Sequence, residues 1–373
     1  MGNITDDIRQ HFDTFAALPF TEADSLALSQ LAYARMPDNV PRYHEDSADV
    51  SGMIPTVSIR DLLRAECYDA MFGKVWSPQM NVDLLRAMGE SPRWRDLRVG
   101  EYVDEFDAET TKQFSACVFE LGDGTLYVAF RGTDSSIVGW KEDFTMAFRR
   151  PVASQEAAVR YVTDIAGRWA GPIMVGGHSK GGNLAVYAAA NVPGEIQGRI
   201  TAVYSHDGPG FDEAFFDEDG YARIAPKIHK SVPGSSIIGM LFETREHVED
   251  GYTVVSSDGV SIMQHFALHW QVDHGRFVQA DGLANSAQYL ARTINEWMAK
   301  YDDEHRRRFI ENLFAIFEAG GYVTFGELTS HVTQSLPVML AAARSIDVED
   351  RDVMIEVLKG FAATAATSVI SAK

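Results

Sequence analysis

Glycine spacing in residues 171–190, GPIMVGGHSKGGNLAVYAAA, restricts the fold more than any other part of the chain. A short apolar run at 173–175 reads as a strand, and the Ala-rich run that follows reads as a helix. Between them, Gly177-His178-Ser179-Lys180-Gly181 matches G-x-S-x-G. In a nucleophile elbow the Ser occupies a strained strand-to-helix turn, and small flanking residues let the two backbones cross closely. The hydroxyl then stands above the sheet edge. Beside it lie a helix N-terminus and a backbone N–H, where an oxyanion would form. A bare G-x-S-x-G is common by chance; the strand before this one and the helix after it are the context the motif requires.

The flanking sequence predicts the layer in which such a turn sits. Strands begin near Phe114, and residues 116–121 and 125–130 flank a Gly122-Asp123-Gly124 turn in a hairpin pattern. Val159, Val162, Ile165 and Trp169 share one face of a helix that Ser154 can cap. Residues 199–204, 228–232 and 252–256 read as further strands, and 260–263 as one more, paired beside the last across a D-G turn. Strands alternating with helices predict an α/β fold, with a mostly parallel central sheet and helices on both faces. Residues 1–75 read as helical and irregular. Thr21 caps a helix through Leu28 and Leu31, Ser58 and Asp61 open another through Leu62, Leu63 and Tyr68, and 36–49 is a loop. From about Ser286 the pattern turns all-helical. Leu290, Ile294 and Trp297 share a face, as do Phe309, Leu313 and Phe317. Thr324 and Glu327 form a capping box, and Asp347 caps a last helix carrying Val353 and Val357. The expected divisions are an N-terminal helical segment over 1–95, an α/β core over 96–284 and a helical subdomain over 285–373.

Charge narrows the partners. The 373 residues carry a formal net charge of −20, which argues against nucleic acid and anionic membrane surfaces. Hydrophobic content of 46% and charged content of 23% are those of an ordinary globular protein. The two cysteines, Cys67 and Cys117, give neither a disulfide framework nor a metal-ligand spacing, and Cys117 reads as a buried thiol. No metal and no organic cofactor are expected. The opening MGNITDDIRQ lacks the basic start and apolar core of a signal peptide, and Asp6 stands where myristoylation wants Ser or Thr. No window approaches the ~18 apolar residues of a membrane helix. The expected compartment is the cytoplasm.

A serine hydroxyl is a weak nucleophile until a base takes its proton, usually a His held in the right tautomer by a carboxylate. The chain order Ser, acid, His puts the base downstream of Ser179, after a late strand. Of His206, His229, His247, His265, His269 and His274, His265 directly follows the last strand-like segment, and His269 is the next choice. The acid should end a strand after the elbow. Asp207 does so, followed by Gly208-Pro209-Gly210, although it could serve only to fix that turn. Glu243, Asp250 and Asp258 compete, and a D-G turn already accounts for Asp258. The oxyanion hole needs two donors. One is the Lys180 N–H, and Thr133, after an earlier strand, offers the other. The Lys180 side chain opposes the helix dipole; it could reach an anionic substrate group or a surface carboxylate. The aromatics of residues 211–216 are expected to line an acyl pocket, with core packing as the alternative.

Phe130-Arg131-Gly132-Thr133, followed by Trp140 and Asp143, resembles the FRG[ST]…W…D signature of fungal-type triacylglycerol lipases. Gly177-His178-Ser179-Lys180-Gly181-Gly182 is similar to their GHSLGG elbow, with Lys for Leu. The resemblance covers roughly residues 114–270. GHSKGGNLAVYAA, SHDGPGF, VPGSSIIGML and SIMQH look closer still to an uncharacterised bacterial group of lipase-like α/β-hydrolases, which also has a leading helix like DSLALSQLAY and a helical tail. The resemblance implies an α/β-hydrolase fold, an oxyanion role for Thr133 and ester hydrolysis. One departure stands out. Fungal-type lipases carry their acid in a D-x-V-P-like segment after the following strand, where Val232-Pro233-Gly234-Ser235-Ser236 has Ser. Asp207-Gly208-Pro209-Gly210-Phe211 is similar instead to the LDP-like turn of pancreatic-type lipases, which place the acid one strand earlier. The expected function is an intracellular serine hydrolase acting on a small-molecule or lipid ester. Ser179, His265 and Asp207 form its triad, and Thr133 and Lys180 its oxyanion hole. A non-catalytic binding module on this scaffold and an acyltransferase with the same triad are the alternatives.

Overall fold

A computed structural model describes residues 2–45, 54–107, 112–133, 142, 145–146, 149–242, 251–259, 261–319, 332–344 and 351. Period-two alternation of apolar residues fixes its central layer. Ala116, Val118, Leu126, Val128 and Phe130 point to one face, with Ile173, Val175 and Val203. Cys117, Phe119, Tyr127 and Ala129 point to the other, with Ala202 and Tyr204. Both faces are buried, so both need a covering layer.

Among the described residues one eight-stranded sheet runs in chain order: β2 (Thr56–Ser58), β3 (Arg98–Asp107), β4 (Lys112–Glu120), β5 (Leu126–Phe130), β6 (Ile173–His178), β7 (Ile200–His206), β8 (Ile228–Pro233) and β9 (Tyr252–Val255). Strands β5 to β9 pair in parallel, and β2 to β5 form an antiparallel meander. The expected hairpin and parallel strands are present. Strand β3, by contrast, precedes the expected start of the sheet. Its pattern is broken by a register shift between Gly100 and Val103, with Glu101 at φ 52°, and its outer half is exposed. The strand expected at 260–263 is a 3-10 helix, Ser261–His265. The edge it would need on β9 is taken by the chain at 278–280, whose backbone bonds to Val254 and Ser256.

The N-terminal segment covers the Tyr127 face with α1 (Ile4–Gln10), α2 (Glu22–Leu31), α3 (Tyr68–Phe72) and α4 (Pro78–Glu90). Thr21 caps α2 as expected, exchanging hydrogen bonds with Asp24. Ala23 through Leu31 are all buried, because α2 has the sheet on one side and α4 on the other. The helix expected from Ser58 is instead broken. A 3-10 turn over Ile59–Leu62 ends at Leu63, whose ψ of 68° leaves the helical region. A small second sheet ties this segment down: β1 (Gly2–Asn3) pairs with β10 (Gln271–Asp273), which pairs with β11 (Arg276–Phe277). The opposite face is covered by α5 (Ala153–Arg168), α6 (Lys180–Asn191), α7 (Gly194–Arg199) and α8 (Asp219–Ile224). Val152, not Ser154, is the N-cap of α5.

Helices α9 (Asn285–Lys300), α10 (Asp303–Ala319) and α11 (Val332–Ala343) make up the described part of the tail. Asn295 of α9 bonds to the Met240 carbonyl and the Phe242 N–H at 2.9 Å each, docking α9 on the β8–β9 connection. Of the apolar positions expected to face inward, Phe309 is buried. Thr324, Glu327, Asp347, Val353 and Val357 lie outside the described residues, as do Trp140 and Asp143. No helix among the described residues is long and apolar enough to cross a membrane.

Candidate active site

Strand β6 passes into α6 through Ser179, at φ 58° and ψ −130°. That conformation is costly for a residue with a Cβ and persists only where packing imposes it. The packing is visible in the glycines: a Cβ on Gly177 would lie 2.3 Å from the Gly181 carbonyl carbon, and one on Gly181 would lie 2.2 Å from the Phe130 carbonyl oxygen. The Ser179 N–H donates to the His206 carbonyl at 2.9 Å, fixing the turn to β7. Parallel pairing aligns Phe130 with Gly177, and Gly177 with Ser205. The chain therefore leaves β5, β6 and β7 at one edge, with Thr133, Ser179 and Asp207 following those ends. Thr133 is half-buried.

Asp207 is fully buried, also at positive φ (50°), and its N–H donates to the Ser231 carbonyl at 2.7 Å. Its two carboxylate oxygens are divided between partners. Oδ2 accepts from His265 Nδ1 at 2.6 Å. Oδ1 accepts from the Ser236 hydroxyl and from the Gly239 N–H at 3.1 Å. That approach depends on glycine, because a Cβ on Gly239 would lie 2.3 Å from Oδ1. Ser236 thus lies in the segment after β8 that lacks a carboxylate, and donates to the carboxylate one strand earlier. Its role was not readable from the sequence, where VPGSS signals only that an acid is missing. Lys230 Nζ donates to the Gly208 carbonyl at 3.0 Å and braces the Gly-Pro-Gly turn.

His265 ends the 3-10 helix and is buried. Gln264 holds this turn, accepting from the Ser235 N–H at 2.7 Å and donating to the Gly259 carbonyl at 2.9 Å. The other histidine and carboxylate candidates are occupied elsewhere. His269 Nδ1 bonds to the Met263 carbonyl at 2.9 Å. His206 is buried between Ser25 and Ser231, and burial holds its pKa well below the ordinary value. His229 stacks on Tyr204. Exposed Asp258 accepts from Gln271 at 2.6 Å. His247, Glu243 and Asp250 lie outside the described residues.

Two expectations are corrected. The Lys180 side chain turns into the core, and the carboxylate it reaches is a buried one, not one at the surface. The lysine is fully buried, with Nζ donating to Glu142 Oε2 and to the Gln113 carbonyl at 2.9 Å each. The Phe211–Phe216 aromatics are core residues. Phe211 stacks on Phe215 at 4.0 Å, and Phe215 on Tyr187 at 5.9 Å. Arg150 pairs with Asp212 and Glu218, so the carboxylates turn outward and the rings inward. Cys117 is buried as expected, and burial pushes its thiol pKa up. One group of described residues could hold a metal ion: His11, Asp273 and His274 have ligand atoms within 4.8 Å of one another, at the end of α1 and the β10–β11 turn. Their two imidazole rings are tilted by 38°, with centroids 4.0 Å apart.

Residues 88–315 match the Mbeg1-like family. The chain belongs to the Mbeg1-like family. The Mbeg1-like match begins within α4, ends within α10 and takes in Ser179, Asp207 and His265. Solved structures similar to it include the Rhizomucor miehei lipase propeptide complex, 17% identical at a TM-score of 0.36, over 68% of this chain and 95% of that one. The lipase from Rhizopus microsporus var. chinensis is 16% identical at a TM-score of 0.33, over 67% and 92%. A triacylglycerol lipase whose catalytic centre is a serine protease triad is 17% identical at a TM-score of 0.35, over 62% and 76%. No curated protein matches the chain.

Proposed function

We propose that this Mbeg1-like chain is a serine hydrolase of carboxylic esters that works through an acyl-enzyme. Ser179 Oγ attacks the ester carbonyl carbon. With His265 Nδ1–H held by Asp207, Nε2 is the nitrogen that takes the Ser179 proton. The oxyanion is met by the Lys180 N–H and by Thr133. Collapse expels the alcohol, protonated by His265. Water then attacks the acyl-Ser179 ester with His265 as base, releasing the acid and returning the proton to Ser179. The substrate is a small-molecule or lipid ester, met in the cytoplasm.

The observation that carries this reading is the buried His265–Asp207 pair at 2.6 Å, on the sheet edge where Ser179 adopts elbow geometry. A binding module has no use for a buried imidazole oriented by a buried carboxylate, which would cost stability without offsetting gain. The test is labelling of the purified protein with a fluorophosphonate probe, together with hydrolysis of short p-nitrophenyl esters. Ser179→Ala should abolish labelling and reduce kcat by ~10⁴–10⁶ with the fold intact. Equal labelling of mutant and wild type would remove Ser179 from the chemistry.

A further inference from the structure

His178 takes no part in the steps above, yet it lies buried between two residues that do. It ends β6, directly before Ser179. Its Nε2 is 2.7 Å from the carbonyl oxygen of His265, and its Nδ1 is 3.0 Å from the Tyr33 hydroxyl. The two imidazoles lie 4.7 Å apart. Burial first, and then the neighbouring His265, push the His178 pKa from its ordinary 6.5 down to about 3, with Asp207 acting in the opposite direction. The ring is therefore neutral and carries one proton. A carbonyl oxygen only accepts, so that proton sits on Nε2, and Nδ1 accepts from the Tyr33 O–H. Tyr33 follows α2, in the segment ahead of the family match. A Cβ on Gly132 would lie 2.0 Å from its hydroxyl, so the same oxygen abuts the corner leading to Thr133.

We propose that His178 is a positioning residue for His265: the relay from Tyr33 O–H to His178 Nδ1, and from His178 Nε2–H to the His265 carbonyl, fixes the base against the nucleophile. The proposal rests on the serine-hydrolase reading of the site. Asp207 fixes one ring nitrogen of His265; where the other points depends also on the backbone that carries the ring. The His265 backbone ends a five-residue 3-10 helix, a weak anchor. His178 adds a fixed point on that backbone. Because His178 and Ser179 are consecutive, a shift of the elbow carries the base with it. The His265 carbonyl selects the Nε2–H tautomer, and Tyr33 donates to the Nδ1 left bare, which brings the N-terminal segment into the machinery.

The variants His178→Leu, His178→Gln and Tyr33→Phe separate positioning from packing. Leu removes the donor; Gln places an amide N–H near the Nε2 position. In His178→Leu, kcat and the rate of fluorophosphonate labelling should fall on the order of 10²-fold, the cost of a misplaced reacting group, with KM within about two-fold. His178→Gln should recover most of that loss. Tyr33→Phe should lose about 10-fold alone and nothing further when added to His178→Leu, because the two bonds act in series. The low-field proton resonance of the His265–Asp207 hydrogen bond can be recorded in a Ser179→Ala background. It should be sharp in that parent and after adding His178→Gln, and broadened after adding His178→Leu. If wild type neither labels nor turns over ester, the hydrolase reading fails, and the resonance still decides the positioning. Wild-type labelling rates and an unchanged resonance in His178→Leu would overturn the proposal. Equal losses in the Leu and Gln variants with lowered melting temperatures would overturn it too, in favour of core packing.

Discussion

At the scale of single residues, the division of the Asp207 carboxylate is decisive. Ser236 and Gly239 both donate to Oδ1, so an amide at this position would turn its own oxygen toward them. Its NH₂ would then face His265 Nδ1, donor against donor, and the imidazole could keep the bond only by moving its proton to Nε2. That is the wrong tautomer for a base that must receive the Ser179 proton. Asp207→Asn should therefore lower kcat by ~10³–10⁴ while KM changes little, measured by steady-state hydrolysis of p-nitrophenyl esters. Activity within a few-fold of wild type would make Asp207 a turn residue only.

Among the elements, α6 is pinned by an ion pair that no spacing rule announces. The Lys180 ammonium and the Glu142 carboxylate are both buried, and Glu142 Oε2 also accepts the Gln113 N–H at 3.0 Å. Removing one partner of a buried pair strands the other. Lys180→Met should cost about 3–5 kcal/mol in urea unfolding. Adding Glu142→Gln, which keeps an acceptor for Gln113, should restore most of that. A single-mutant loss below about 1 kcal/mol would show that water reaches Glu142. This contrast marks what the sequence makes legible. The elbow, the helix cap at Thr21 and the parallel order after β5 follow from spacing within one element or one turn. Asp207 and His265 are found by chain order and by position at element ends, and the structure brings their side chains together. The partner of Lys180, the donors Ser236 and Gly239, the inward turn of Phe215 and the start of the sheet at β2 depend on pairings across the fold. Strand β3 in particular hides its register behind a bulge and a charged outer half.

For the whole molecule, two buried neutral histidines set a response to acid. His178 titrates at about 3 when folded and His206 well below its ordinary value, both chiefly through burial. The unfolded chain takes up a proton at each near 6.5, so between that pH and the folded value it binds more protons than the native state. Stability must then fall as pH falls through this window, by about 1.4 kcal/mol per pH unit for each group. Unfolding free energies from urea titrations at pH 7 and at about pH 5 should differ by about 2 kcal/mol per histidine. His206→Gln should flatten the dependence. An unchanged slope in that variant would assign the acid response to other groups.

Strand β1 is two residues long, yet it pairs Gly2 with Val272. Gly2 and Asn3, once synthesised, therefore wait for a partner made some 270 residues later. Meanwhile Ile4, Ile8, Leu26, Leu28 and Leu31 have no β10, and for much of that time no complete sheet, to cover. Closing so long a loop adds little to the equilibrium cost, because that cost grows only with the logarithm of length. It weighs on rate instead, since non-local contacts form late. During synthesis this layer is the exposed apolar surface of a nascent chain, and a chain ending before Val272 would never bury it.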